Sequence, residues 1–166
     1  MAIYVTGDVH GRAEYGASRF AFRSWSLGRT LTSDDVVIVA GDFGFVWDGS
    51  NAERYWLDWF ESKPWTTCFV DGNHENHHAL ANLPVREWND GLVHEVRPHV
   101  LHLMRGEVFD IDGLTVLAMG GAANADVSTA GIRCKPSWAS STDGSITAPG
   151  SSDITTVTNG STPGIA

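Results

Sequence analysis

Histidine runs out early in this chain: there are seven in 166 residues, and none follows His102. Basic charge is also scarce, with 11 Lys and Arg against 20 Asp and Glu for a formal net charge of -9. That balance argues against a broad electrostatic grip on nucleic acid or on an anionic membrane. It leaves phosphate substrates open, because bound cations invert the local field. Cysteine is limited to Cys68 and Cys134, too few for a disulfide framework, so a reducing cytoplasm is the default. No apolar run approaches membrane-spanning length, and the opening Ala2-Ile3-Tyr4-Val5-Thr6 has no basic region ahead of it, so no signal peptide is expected. From Ser140 to Ala166 there is no aromatic residue and no Lys or Arg. Such a segment has too little apolar surface to offset its ordering entropy. Its scattered Ile, Val and Thr could form a weak strand, but disorder is the expectation over 140–166.

What is present elsewhere is an ordinary globular composition, 42% hydrophobic, long enough for one domain with a real core. Ala2 to Thr6 reads as a buried strand, Val36 to Ala40 as a second and Thr66 to Val70 as a third. A helical pattern from about Glu14 to Ser26 has Phe20, Trp25 and Leu27 as apolar anchors and Gly28 as its stop. Ser50 and Glu53 predict a capped helix start, with Tyr55, Trp56, Trp59 and Phe60 at helical spacing and Pro64 closing the segment. A short helix is expected from about Asn76 to Leu83. Strand and helix thus alternate, which implies a parallel sheet with right-handed crossovers. Past Pro84 the texture changes to short strands, Val93 to Val96, Val100 to Met104, Glu107 to Ile111 and Thr115 to Ala118. Asp112-Gly113 marks a hairpin between the last two. These should be antiparallel, added to the core or starting a second sheet.

Three glycine-flanked motifs follow the first three strands: Gly7-Asp8-Val9-His10-Gly11, Gly41-Asp42 and Gly72-Asn73-His74-Glu75. Singly, each is a common turn, since Gly-Asp and Gly-Asn tolerate left-handed backbone. Together they bring Asp8, His10, Asp42, Asn73 and His74 to the carboxyl edge of one sheet, where ligands bind in parallel folds. Asp42, on the central strand, could bridge two cations, with Asp8 and His10 facing one and Asn73 offering a neutral oxygen to the other. Two metals about 3.5–4 Å apart clamp a phosphoryl group and lower the pKa of bound water to about 7. His74 could protonate the leaving oxygen or hydrogen-bond a phosphate oxygen. Mixed Asp, Asn and His ligation fits Mn, Fe or Zn better than Ca.

This set resembles the calcineurin-like metallophosphoesterase superfamily, whose members carry D-x-H, G-D and G-N-H-[DE] in this order. The likeness covers roughly Ala2 to Trp138. It implies an α/β fold, a metallophosphoesterase-type β-sandwich flanked by helices (αββα). It also implies two divalent metal ions held by Asp8, His10, Asp42 and Asn73, His74 as the catalytic histidine, and Glu75 as a supporting group behind them. Leu103 to Glu107 and Gly120 to Ala122 resemble a small-phosphatase branch common in bacteria and phages.

Two departures stand out. The Ser/Thr-phosphatase branch continues its second motif as G-D-x-x-D-R-G, and here Gly41-Asp42-Phe43-Gly44-Phe45-Val46-Trp47 has no such Arg. The superfamily also draws three further histidines from its C-terminal half. The expectation is therefore a partial domain over 1–139, truncated or frame-shifted, with a weak second metal site. Its function would be hydrolysis of phosphate mono- or diesters through metal-activated water. Two alternatives are an inactive or weakly active remnant serving as a metal- or protein-binding module, and a nuclease-like phosphodiesterase, which the acidic charge disfavours. The partner expected is a small phosphoester substrate, with no membrane and no stable nucleic-acid complex.

Arg12 and Arg105 are the cations best placed by sequence to meet a substrate phosphate, since guanidinium suits its oxygens bidentately. His77 and His78 are expected to face solvent, and His94, His99 and His102 to lie on strand surfaces. Phe43, Phe45 and Trp47 are read as core in preference to a pocket for an aromatic leaving group. Trp56 and Trp59 are read as core, and Cys68 as an inert buried thiol.

Overall fold

The computed structural model describes residues 1–11, 17–121 and 155–157. Arg12, the first residues of the expected 14–26 helix, and the tail 140–166 apart from Thr155–Val157 lie outside the described residues. Each long apolar run becomes a strand: β1 (Ile3–Thr6), β2 (Val36–Ala40) and β3 (Thr66–Val70). Helix α1 (Asn51–Glu61) lies between β2 and β3, and α2 (His77–Ala81) follows β3. Then come β4 (Val85–Trp88), β5 (Gly91–Arg97), β6 (Val100–Leu103), β7 (Val108–Ile111) and β8 (Leu114–Leu117). A last strand, β9 (Thr155–Val157), falls inside the tail.

The main sheet is 7-stranded in the order β4-β5-β6-β3-β2-β1-β9. β1, β2, β3 and β6 are parallel, while β4 and β5 join antiparallel at one edge and β9 at the other. β7 and β8 form a separate antiparallel hairpin through Asp112 and Gly113, both at positive φ. The later strands therefore do both things open to them, extending the core and starting a second sheet.

Side-chain alternation divides the main sheet into two apolar faces. Tyr4, Val37, Val39, Phe69 and Val100 face Phe20, Phe43, Phe45, Leu57 and Phe60 on the helical side. Ile3, Val36, Ile38, Cys68, Leu101 and Leu103 face Phe109 and Ile111 of β7. Helix, large sheet and small sheet are thus three of the layers expected of an αββα sandwich. Burial holds the Cys68 thiol well above its usual range, so it stays protonated and inert. No helix among the described residues is long and apolar enough to cross a membrane.

Over its described part, from Ala17 on, the expected helix gives way to two short 3-10 turns, Ala17–Phe20 and Ser26–Arg29. Its apolar residues do not fall on one stripe. Phe20 packs edge-on to Phe60, Trp25 on Tyr4 and Trp65, and Leu27 points outward. Aromatic anchoring overrides helical propensity here. Gly28 does not stop a helix but admits the rings, since a Cβ there would stand 3.1 Å from Trp25. In α1 the buried residues are Leu57 and Phe60; Trp56 and Trp59 are only partly covered, and Tyr55 is exposed. Lys63 sits 3.4 Å above the Trp59 ring, which accounts for the ring's open face.

The capping expectation holds on one side. Ser50 Oγ accepts the Glu53 N–H at 3.2 Å, but Glu53 reaches past Ser50. Its Oε2 accepts the backbone N–H groups of Trp47 at 2.7 Å, Asp48 at 2.7 Å and Gly49 at 3.1 Å. One carboxylate at the positive end of α1 therefore anchors the loop leading from Asp42.

Gly91 ties the two sheets together, for a Cβ there would stand 2.5 Å from the buried Phe109 ring. Gly91→Ala is expected to destabilise the protein by about 1–3 kcal/mol through overpacking. Urea unfolding should show this, with partial recovery when Phe109→Leu is added; an unchanged midpoint in Gly91→Ala contradicts this packing account.

Candidate metal centre

The loop after β1 and the loop after β2 lie side by side as a continuation of their parallel pairing. Asp8 N–H donates to Gly41 O at 3.2 Å, His10 N–H to Asp42 O at 2.6 Å and Gly11 N–H to Phe43 O at 2.9 Å. Gly11 and Gly44 touch where the loops cross, since a Cβ on Gly11 would stand 2.2 Å from Gly44 O. Asp8, His10 and Asp42 are all left-handed, at φ 55, 54 and 51°. Such backbone is uncommon for residues other than glycine and gathers at functional sites held by their surroundings. The surroundings here are buried neighbours. Val9, between Asp8 and His10, is 1% exposed, and Phe43, next to Asp42, is fully buried and stacked on Phe69 with centroids 4.3 Å apart.

This geometry gathers three ligand-bearing side chains. Donor atoms of Asp8, His10 and Asp42 all lie within 4.8 Å of one another. His10 Nε2 is 3.7 Å from Asp8 Oδ1 and 3.8 Å from Asp42 Oδ2. Donors sharing one cation at about 2.1 Å can stand at most about 4.2 Å apart, so both of these separations fit a common ion. Two carboxylates with one imidazole is a donor set suited to a divalent transition metal.

The third motif closes over the second. A Cβ on Gly72 would stand 2.0 Å from Asp42 Oδ1, so only glycine lets this loop approach. His74 N–H donates to Asp42 Oδ1 at 2.9 Å, and the His74 ring meets the His10 ring edge-on at 5.3 Å. The structure thus brings Asp8, His10, Asp42 and His74 together, with half-buried Asn73 carried on the same loop. Glu75 turns inward, and both its oxygens accept the Gly44 N–H at 3.2 Å. It thereby holds the loop that crosses Gly11. Asn76 caps α2 by accepting the Ala79 N–H at 2.9 Å and donates to Trp47 O at 2.5 Å.

Other expectations are sorted by the same geometry. Phe43 and Phe45 are core, but Trp47 is exposed, its backbone pinned by Glu53 and Asn76. His78 faces solvent, the half-exposed His77 turns its Nδ1 to within 3.3 Å of buried Asp71, His99 sits in a turn paired with Glu61, and His94 is partly buried. His102 is not on a surface. It is buried against Phe69, with Nε2 3.2 Å from Asp71 Oδ1 and Nδ1 2.9 Å from His94 Nδ1. Arg105 donates to Asp71 through Nε at 2.6 Å and also through Nη2, while its side chain stays half exposed. In the sequence, Asp71 ahead of Gly72 reads only as part of a turn. Burial alone would push its carboxyl up, but His102 and Arg105 overturn that and hold it well below the usual carboxylate range.

Glu75 goes the other way. Burial, with the nearby charges of Asp42 and Asp71, pushes its carboxyl from an ordinary 4.5 up to about 7. Between those values the folded state binds the extra proton, so stability is full below the lower one and falls as pH rises through the upper one. In metal-free protein the loss over that window should be on the order of 3 kcal/mol, removed by Glu75→Gln and read by urea unfolding at successive pH values. A flat wild-type profile contradicts the assignment. Compared with known proteins, the chain is matched over residues 1–142 by the family model described as calcineurin-like phosphoesterase. No curated protein and no solved structure gives a significant match.

Proposed function

The chain belongs to the calcineurin-like phosphoesterase family, and from that premise we propose that it hydrolyses small phosphate esters with the aid of a divalent cation. The observation that carries this reading is the convergence of Asp8, His10 and Asp42 on one point beside His74. Those three residues would hold the cation, with Asn73 on the adjoining loop able to add a neutral oxygen. The cation would supply the positive charge that activates a water and offsets charge on the phosphate. Asp42 does two jobs, offering Oδ2 toward His10 while Oδ1 accepts the His74 N–H and fixes the approach of the third motif. His74, exposed at the rim, would hold a proton on a ring nitrogen and pass it to the leaving oxygen. Glu75 orients the Asp42 loop through Gly44.

A second reading has its own support. All histidines lie at or before His102, and among the described residues Asp8, His10 and Asp42 are the one set of three such side chains whose donor atoms lie close enough together to share an ion. A protein that binds a single cation without turnover would be a metal-binding module.

The deciding experiment adds Mn or Zn to chelator-treated protein and measures bound metal and hydrolysis of mono- and bis-aryl phosphates. Turnover that chelation abolishes and metal restores is expected, with His74→Ala lowering kcat by about 10²–10⁴-fold and leaving KM near its wild-type value. Metal binding without hydrolysis of either ester supports the module. Preference for the bis-aryl ester identifies a phosphodiesterase.

A further inference from the structure

The buried carboxylate of Asp71 has no role in the reading above, yet it stands directly ahead of the third motif and is 2% exposed. One oxygen takes Arg105 and also faces His77 Nδ1 at 3.3 Å; the other faces His102 Nε2 at 3.2 Å. His77 is the first residue of α2, at the far end of the loop that Asp71 begins. The Asp71 backbone carbonyl accepts the Gly121 N–H at 2.8 Å, and a Cβ on Gly120 would stand 2.2 Å from Asp71 Oδ1. The Asp71 side chain therefore joins both ends of the motif loop to β6 and to the β6–β7 connection, while its backbone carbonyl holds the segment after β8.

Within that loop the labour is divided. Glu75 is spent on Gly44, and Asn76 on α2 and Trp47. Gly72 is pressed on Asp42. Asn73 and His74 remain as the two side chains with chemistry to offer. Only the His74 N–H contact with Asp42 and the ring contact with His10 tie His74 to the metal ligands, so its placement depends on how the loop is closed at its base.

We propose that Asp71 is the positioning residue of the third motif: its carboxylate closes the base of the loop and so sets where Asn73 and His74 stand relative to Asp42. The shape of the group matters as well as its charge. A carboxylate can accept from Arg105, His77 and His102 together, whereas an amide of the same size turns an NH2 toward one of them. The kinetic part of this proposal rests on His74 being the proton donor; the structural part does not.

Two measurements test it on the full chain. In metal-free protein, Asp71→Asn should speed amide exchange at His74 by about tenfold or more while Gly11, bonded to Phe43 in the neighbouring loop, keeps its wild-type rate. His77→Ala removes only the half-exposed arm of the closure and should speed His74 exchange several-fold. Wild-type exchange at His74 in both variants overturns the proposal. With Mn and an aryl phosphate, Asp71→Asn should lower kcat by about tenfold or more with KM within about twofold, and add nothing to His74→Ala. Multiplying losses in the double variant would show that Asp71 does not act through His74, and would overturn the positioning role. Absence of turnover in wild-type protein defeats the phosphoesterase reading and leaves amide exchange to decide the loop closure.

Discussion

Everything at the candidate centre depends on two loops being able to run with their backbones in contact. β1 and β2 pair in parallel, and the pairing does not stop where the strands do. It continues through Asp8, His10 and Gly11 onto Gly41, Asp42 and Phe43. Gly11 and Gly44 permit the crossing because neither has a Cβ to place in the other's backbone. Left-handed backbone at Asp8, His10 and Asp42 then turns their side chains toward a common point. Strain of this kind persists only if the neighbours leave no alternative, and the loop hydrogen bonds supply that constraint.

Behind the loops is an aromatic cluster whose members serve fold and site together. Phe43 contacts Phe45, Phe60 and Phe69, and Phe60 in turn meets Phe20. Each such pair adds about 0.5–1.5 kcal/mol beyond its burial. The residue that follows Asp42 is therefore among the best-anchored in the chain. The third motif is held differently, by polar contacts from Asp71, Glu75 and Asn76 rather than by packing. The centre thus has one rigid wall made by the core and one made by hydrogen bonds.

Much of this was legible in the sequence, for reasons that are physical. β2 is a continuous apolar run because both its faces are covered, β3 becomes apolar from Cys68 onward, and the limits of both could be read directly. The three motifs could be read because each comes straight after such a run. β4 could not, since Val85-Arg86-Glu87-Trp88 has no strong pattern; it is an edge strand ordered by pairing with β5, with Arg86 ion-paired to Glu95. Asp71 and the burial of His102 were hidden because their partners lie far along the chain, 31 and 34 residues from Asp71 for His102 and Arg105. Local propensity carries no information about such contacts. The turns that replace the expected helix after Ala17 were lost for a related reason, as ring contacts with Phe60 and Trp65 decided the path.

The alternation of anchor and ligand has a consequence for how this chain can vary. Val9 is buried between two outward groups, Phe43 follows Asp42 inward, and Glu75 follows His74 inward. The first and third loops therefore carry a reading frame of their own, in which adjacent positions have opposite destinations, while in the second both Asp42 and Phe43 are buried. Replacing a side chain alters one contact, but inserting or deleting a single residue exchanges the destinations of all that follow until the next turn. A slip in the first loop would send Val9 to water and an ionisable group into the apolar core. These loops have almost no tolerance for a change in length, the reverse of what surface connections usually allow.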